Sequence, residues 1–166
     1  MQIVVNDTNL FIDLIHAELI DLFFRLPFEV HTTDFVVGEI EDSEQEAIIM
    51  ELIVTERLYV AEMTSGEVEE ILLLQVADNR LSIPDCSVWY YSKKNSFILL
   101  TGDNLLRKTA SNDQITVRGI LYVFDELVRT GLISSVEASV KLQFLLDTGS
   151  RLPKDDCIDR LKEWNK

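Results

Sequence analysis

The sequence predicts an α/β fold: a central, mainly parallel five-stranded sheet flanked by helices, with further helices at the C-terminus. Three observations carry this expectation. Five short β-branched or apolar runs lie at residues 2–5, 29–31, 58–62, 97–100 and 115–118. Helical apolar spacing fills the intervals, and strands that alternate with helices pair in parallel with helices on both faces. The chain has 166 residues, 47% of them apolar, which suits one domain with a real core and argues against disorder.

Each element has its own local reason. Ile3, Val4 and Val5 make the first strand apolar until it meets Asn6 and Asp7. Two short helices follow, over residues 9–15 and 17–25. Thr32, Thr33 and Asp34 stand before Phe35 and cap a helix over residues 33–40. The next helix, 43–53, sets acidic residues on one side and Ile48, Ile49 and Leu52 on the other. A helix over 65–76 comes after the third strand. Ser82-Ile83-Pro84-Asp85 then opens another, with serine as cap, proline in the first turn and Asp85 at the capping-box position. The fourth strand leads to a helix over 104–110, and the fifth to helices over 120–130, 135–146 and 155–164. Gly131 and Gly149 are natural helix stops. No internal repeat, low-complexity tract or linker interrupts the chain. One domain over 1–166 is expected, with a core over 1–120 and a helical extension over 120–166. That extension covers a sheet edge, pairs two subunits or receives a partner.

Fifteen basic residues stand against 29 acidic ones, for a net charge of −14. Such a surface is soluble and repels polyanions at long range, which counts against nucleic-acid binding. Cys86 and Cys157 have no metal-type spacing and suggest a reduced, intracellular protein. No apolar run reaches membrane-spanning length, and no basic region precedes an apolar stretch at the N-terminus. A cytoplasmic protein with no membrane partner is the expectation.

Open parallel sheets bind ligands beyond the carboxyl ends of their strands. Asp7 follows the first strand, and Thr101 and Asp103 follow the fourth within Leu99-Leu100-Thr101-Gly102-Asp103. Glu39 and Asp85 sit on helices that can point into the same corner. Each has a plain structural reading as well. Asp7 and Asp103 are good helix caps, Asp85 completes a capping box, and Glu39 is an ordinary solvated glutamate. Taken together, four carboxylates around one crevice repel unless a cation sits between them. Magnesium and manganese take oxygen ligands of this kind.

The order of these residues resembles the PIN-domain family of metal-dependent ribonucleases. The residues that carry the resemblance are Asp7-Thr8-Asn9, Glu39, Asp85 within Leu81-Ser82-Ile83-Pro84-Asp85-Cys86, and Thr101-Gly102-Asp103, over roughly residues 2–120. The tail from Val117 to Ser134 resembles a prokaryotic, VapC-like branch: a glycine after the last strand, a helix, then Gly131-Leu132-Ile133. Many members of that branch look like toxin halves of type II toxin–antitoxin pairs. Some members carry a further acid just after Thr-x-Asp; Asn104, Leu105, Leu106 and Arg107 stand there in this chain, so four acids are matched.

The resemblance implies a three-layer PIN-like fold and a divalent-metal-dependent endoribonuclease (Mg2+ or Mn2+), with roles falling on named residues. Asp7 and Asp103 are the implied main ligands, Asp85 ligates directly or through water, and Glu39 positions or deprotonates the attacking water. Asn9 and Thr101 orient the carboxylates, and Gly102 gives the turn its backbone freedom. Arg107 and Lys108 are phosphate contacts or a solvated helix face; Lys93, Lys94 and Arg118 are further basic candidates. The implied partners are an RNA substrate, a cognate antitoxin and a second copy of the chain. Leu10, Phe11, Leu14, Phe23 and Phe24 line an antitoxin groove or are plain core. Trp89 stacks on a base or is core, and His16 and His31 read as structural or surface residues. Two other classes compete. A catalytically silent PIN-like protein-interaction domain would lack a carboxylate, and all four are present. A phosphoacceptor receiver domain wants adjacent acids after the first strand and a late lysine, where this chain has Asn6-Asp7 and Arg118.

Overall fold

The computed structural model describes residues 1–166. Its five strands are β1 (Gln2–Asn6), β2 (Phe28–Thr33), β3 (Leu58–Ala61), β4 (Ile98–Leu100) and β5 (Val117–Arg118). They form one sheet in the order β3-β2-β1-β4-β5, with every pair parallel. Val4 pairs with Val30 on one side and Ile98 on the other, so β1 is central. Val4 and Val5 are fully buried, as a strand covered on both faces requires. The chain builds outward from β1 to β3, then returns to add β4 and β5 on the opposite side. The topological switch point therefore lies between β1 and β4, where Asp7 and Thr101 emerge.

Ten helices connect and cover the strands: α1 (Thr8–His16), α2 (Ile20–Phe23), α3 (Asp34–Glu39), α4 (Ser43–Val54), α5 (Ser65–Ala77), α6 (Ile83–Asn95), α7 (Asn104–Asn112), α8 (Ile120–Arg129), α9 (Ser135–Asp147) and α10 (Lys154–Trp164). Thr33 caps α3 through its hydroxyl. Ser82 and Asp85 form a full capping box on α6, with proline in the first turn. Helix α8 buries Ile120, Leu121, Val123, Phe124 and Leu127, one helical face directed at the core. Through Phe124 the core continues into the C-terminal helices, where Trp164 packs 5.9 Å away, centroid to centroid. Lys141 also ties α9 to the carbonyl of Ala17 at 2.8 Å. The C-terminal helices thus share the apolar core of the sheet.

Several expected boundaries move, and for one recurring reason. The helix expected over 17–25 is reduced to α2 because Glu18 takes a left-handed backbone, φ 55°. That geometry lets Leu19 N–H return to the Leu14 carbonyl at 2.8 Å, closing α1. Ser96 and Gln114 do the same for α6 and α7, at φ 57° and 64°. Phe97 and Ile115 then spend their amides on the Ser92 and Ala110 carbonyls, so β4 and β5 start later than expected. Gly131 and Gly149, at φ 73° and 85°, close α8 and α9 as expected. Gly102 needs no such freedom: its φ is not positive and a Cβ there would meet nothing.

Candidate active site

Asp7 leaves β1 at its carboxyl end and caps α1. One carboxylate oxygen accepts the Leu10 amide at 2.8 Å, and the other accepts the Thr101 hydroxyl. Thr101 is fully buried at the end of β4, and its Oγ1 also accepts the Asp103 amide at 3.0 Å. One hydroxyl therefore ties the Asp7 carboxylate to the Asp103 backbone, which β1 and β4 carry separately. Asp103 caps α7 by accepting the Leu106 amide at 2.7 Å. Asp85 enters from α6, its carboxylate held by the Ser82 amide at 3.1 Å.

Two of these acids act electrostatically on Asp7. Asp7 is 2% exposed, and its carboxyl is pushed up to about 7. Burial is the chief cause; hydrogen bonds from Thr101 and Leu10 oppose it, and the charges of Asp85 and Asp103 raise it further. Glu39 is exposed at the end of α3 and accepts the Thr8 hydroxyl, which links it to the residue beside Asp7. Asn9 is exposed on the wall of the cleft beside Asp103.

Asp85 and Asp103 act on Asp7, yet no three acids of the corner close around a point as metal ligands do. Asp85 and Asp103 are each turned to a helix start, toward the Ser82 and Leu106 amides, while Glu39 bonds Thr8 beside Asp7. The donor set still fits a hard divalent cation, since it is built of carboxylate oxygens. Beside Asp7, the Asn6 amide is completely buried with neither its Oδ1 nor its Nδ2 partnered. Buried amides in native folds are normally satisfied, so this corner has unmet polar capacity.

The sequence reading missed several neighbours. Asp13 lies one turn beyond Asn9 on α1, accepts the Ser150 hydroxyl at 2.9 Å and has its carboxyl raised chiefly by burial. It shares a cleft of about 590 Å3 with Asn9, Asp103, Asn104 and Arg151. The i, i+4 spacing of Asn9 and Asp13 was the available signal. Arg151, in the α9–α10 connection, had none.

Other expected contacts resolve differently. Lys93 pairs with Asp113 and Lys94 with Glu67, both away from the acids. Arg107 donates to the Thr101 carbonyl at 3.1 Å, passing so close to Gly119 that a Cβ there would collide with its Nη2. Lys108 is exposed. Trp89 is core, its indole N–H bonded to Asp113 at 3.0 Å. Leu10, Phe11, Leu14 and Phe23 are fully buried and Phe24 packs on the core, so they form no groove. His31 is buried between Tyr91 and Glu29 at 2.9 and 2.8 Å, and His16 is exposed.

The fold is an all-parallel five-stranded sheet with Asp7 at its switch point, where the charges of Asp85 and Asp103 act on it. The chain belongs to the PIN-domain family, whose model matches residues 3–166. Among solved structures, PAE2754 from Pyrobaculum aerophilum is similar with a TM-score of 0.52 and 16% identity, over 80% of this chain and 98% of that one. That likeness shows a shared fold. VapBC2 from Rickettsia felis, solved with a DNA fragment from its promoter, reaches 0.49 and 12% identity, over 71% and 98%. No curated protein matches the sequence.

Proposed function

We propose that this PIN-domain protein is a divalent-metal-dependent endoribonuclease and the toxin half of a type II toxin–antitoxin pair. The observation that carries the reading is the coupling at the switch point. The Thr101 hydroxyl donates to the Asp7 carboxylate and accepts the Asp103 backbone amide, and the charges of Asp85 and Asp103 both resist ionisation of Asp7. A cation relieves repulsion of this kind. Asp7, Asp85 and Asp103 would hold Mg2+ or Mn2+, and the bound ion supplies a water of lowered pKa and a Lewis acid at the phosphate. Thr101 orients the Asp7 carboxylate and fixes the Asp103 backbone, Thr8 orients Glu39, and Asn9 faces the substrate from the cleft wall. Glu39 positions or deprotonates the attacking water.

The toxin assignment rests on the resemblance of residues 117–134. An RNA substrate, an antitoxin and a second copy of the chain are the partners it implies. Val136, Val140 and Phe144, exposed at i, i+4 and i+8 on α9, support a protein partner.

One observation favours a silent interaction domain instead: every aspartate of the group already serves a helix start, Asp7 and Asp103 as caps and Asp85 in the capping box of Ser82. Cleavage of mixed RNA with magnesium, manganese or chelator decides between them. We expect metal-dependent cutting that Asp7→Asn and Asp103→Asn reduce more than about 100-fold, above what changes behind a ligand usually cost. Folded protein that cuts nothing, and whose melting ignores both ions, would leave the silent domain as the reading.

A further inference from the structure

Four of the eight arginines in this chain line one cavity: Arg107, Arg118, Arg151 and Arg160. They come from α7, β5, the α9–α10 connection and α10, so no stretch of sequence contains the cluster. The cavity is about 460 Å3 and carries two carboxylates, Asp125 and Asp156, leaving it locally cationic in a chain of net charge −14. Gly102, Asn104 and Arg151 line both this cavity and the acid-bearing cleft, so the two open into each other.

The arginines divide by whether a carboxylate already neutralises them and by exposure. Arg160 is fixed by Asp125 through two bonds of 3.2 and 2.8 Å; Arg107 is half-buried and donates to the Thr101 carbonyl, while Arg118 is exposed and donates only to the neighbouring Val117 carbonyl at 3.2 Å. Arg118 and Arg151 have no carboxylate partner. The Arg118 guanidinium is laid over the Tyr122 ring at 5.9 Å, which limits its freedom without neutralising it. Guanidinium forks match phosphate oxygens in pairs, and a cationic hollow is a poor arrangement unless an anion enters it.

We propose that this cavity seats a phosphate of the substrate strand next to the one cut at the acid corner. Arg118 and Arg151 make the direct contacts; Arg107 and Arg160 shape the wall. The C-terminal helices then have a task beyond covering the core, since they bring Arg151 and Arg160. The inference rests on the nuclease reading for its choice of anion.

The test is binding of a short fluorescent 2′-O-methyl oligouridylate in chelator, read by anisotropy across a salt series. Arg118→Gln and Arg151→Gln are compared with Arg25→Gln, an exposed arginine just before β2, at the end of the sheet away from the acids. All three remove one positive charge. Loss of one charge-assisted contact predicts roughly tenfold weaker binding for each cavity variant. It also predicts a fall of about 0.7 in the slope of log K against log salt for each. Arg25→Gln should match wild type. Equal loss in all three variants, or none, overturns the proposal. So does wild type that ignores RNA and binds a polyglutamate peptide through the same arginines, which would mark a protein-partner site. Binding that needs Arg118 and Arg151 in a protein that never cuts RNA would sink the nuclease reading and leave this one standing. Cutting that is indifferent to both arginines would do the reverse.

Discussion

At the scale of single residues, the Asp7 carboxyl has a direct consequence for stability. Its ordinary value is 3.8, and in the fold it lies at about 7. Between those values the folded chain keeps a proton that the unfolded chain has lost. Stability therefore falls as pH rises through this window, and the penalty is complete above about pH 7. Its size is on the order of a few kcal/mol. Unfolding of chelated protein between about pH 5 and pH 8 should show this loss, and Asp7→Asn should flatten it. Asp13 adds a slope of the same sign, so the difference between wild type and variant is the informative quantity. Parallel curves would mean that the Asp7 carboxyl is not strained by its surroundings. Asp7 was legible in the sequence because it ends an apolar run. Its full burial was not, since that depends on Thr101 and on what α1 and α7 place around it.

Helix ends govern much of the architecture at the next scale. Six helices close by a left-handed residue whose neighbour returns to a carbonyl in the last turn, and only Gly131 and Gly149 are glycines. Glu18, Glu56, Ser96 and Gln114 accept the same conformation with a side chain attached, at a cost of about 1 kcal/mol or more each. This explains why the glycine stops were readable and the others were not. Ser96 makes no side-chain hydrogen bond that would be lost on substitution. Ser96→Gly should therefore raise stability by about 0.5–1 kcal/mol, or a melting temperature by roughly 1–4 °C. An unchanged or lower melting temperature would show that the left-handed position carries no strain. The caps on α1, α3 and α6 needed only local sequence, and they form as the residues suggested.

Across the whole molecule, charge and core are distributed by the strand order. Helix α4, with Glu44, Glu46 and Glu51 exposed, runs into β3 at one edge of the sheet. The arginine cavity lies at β5, the opposite edge. A net charge of −14 is thus compatible with a local cationic surface, and the long-range objection to a polyanion loses its force near the cleft. The C-terminal helices belong to the same core through Phe124 and Trp164. Trp164→Ala should cost about 3–5 kcal/mol in urea unfolding, as other large core truncations do. A cost under about 1 kcal/mol would mean that α10 contributes little to the core.

The sequence by itself determined the alternation of strands and helices, the cap residues, and the chain order of Asp7, Glu39, Asp85 and Asp103. Those properties depend on periodicity and on side chains within a few residues of one another. Tertiary structure alone decided that β4 lies beside β1, so that Thr101 reaches Asp7 across 94 residues of chain. It also decided that arginines from four elements share one hollow, while Leu10, Phe11, Leu14 and Phe23 become core rather than groove. The physical reason is that strand neighbours are chosen by how all the apolar faces can be covered at once. No local pattern carries that information.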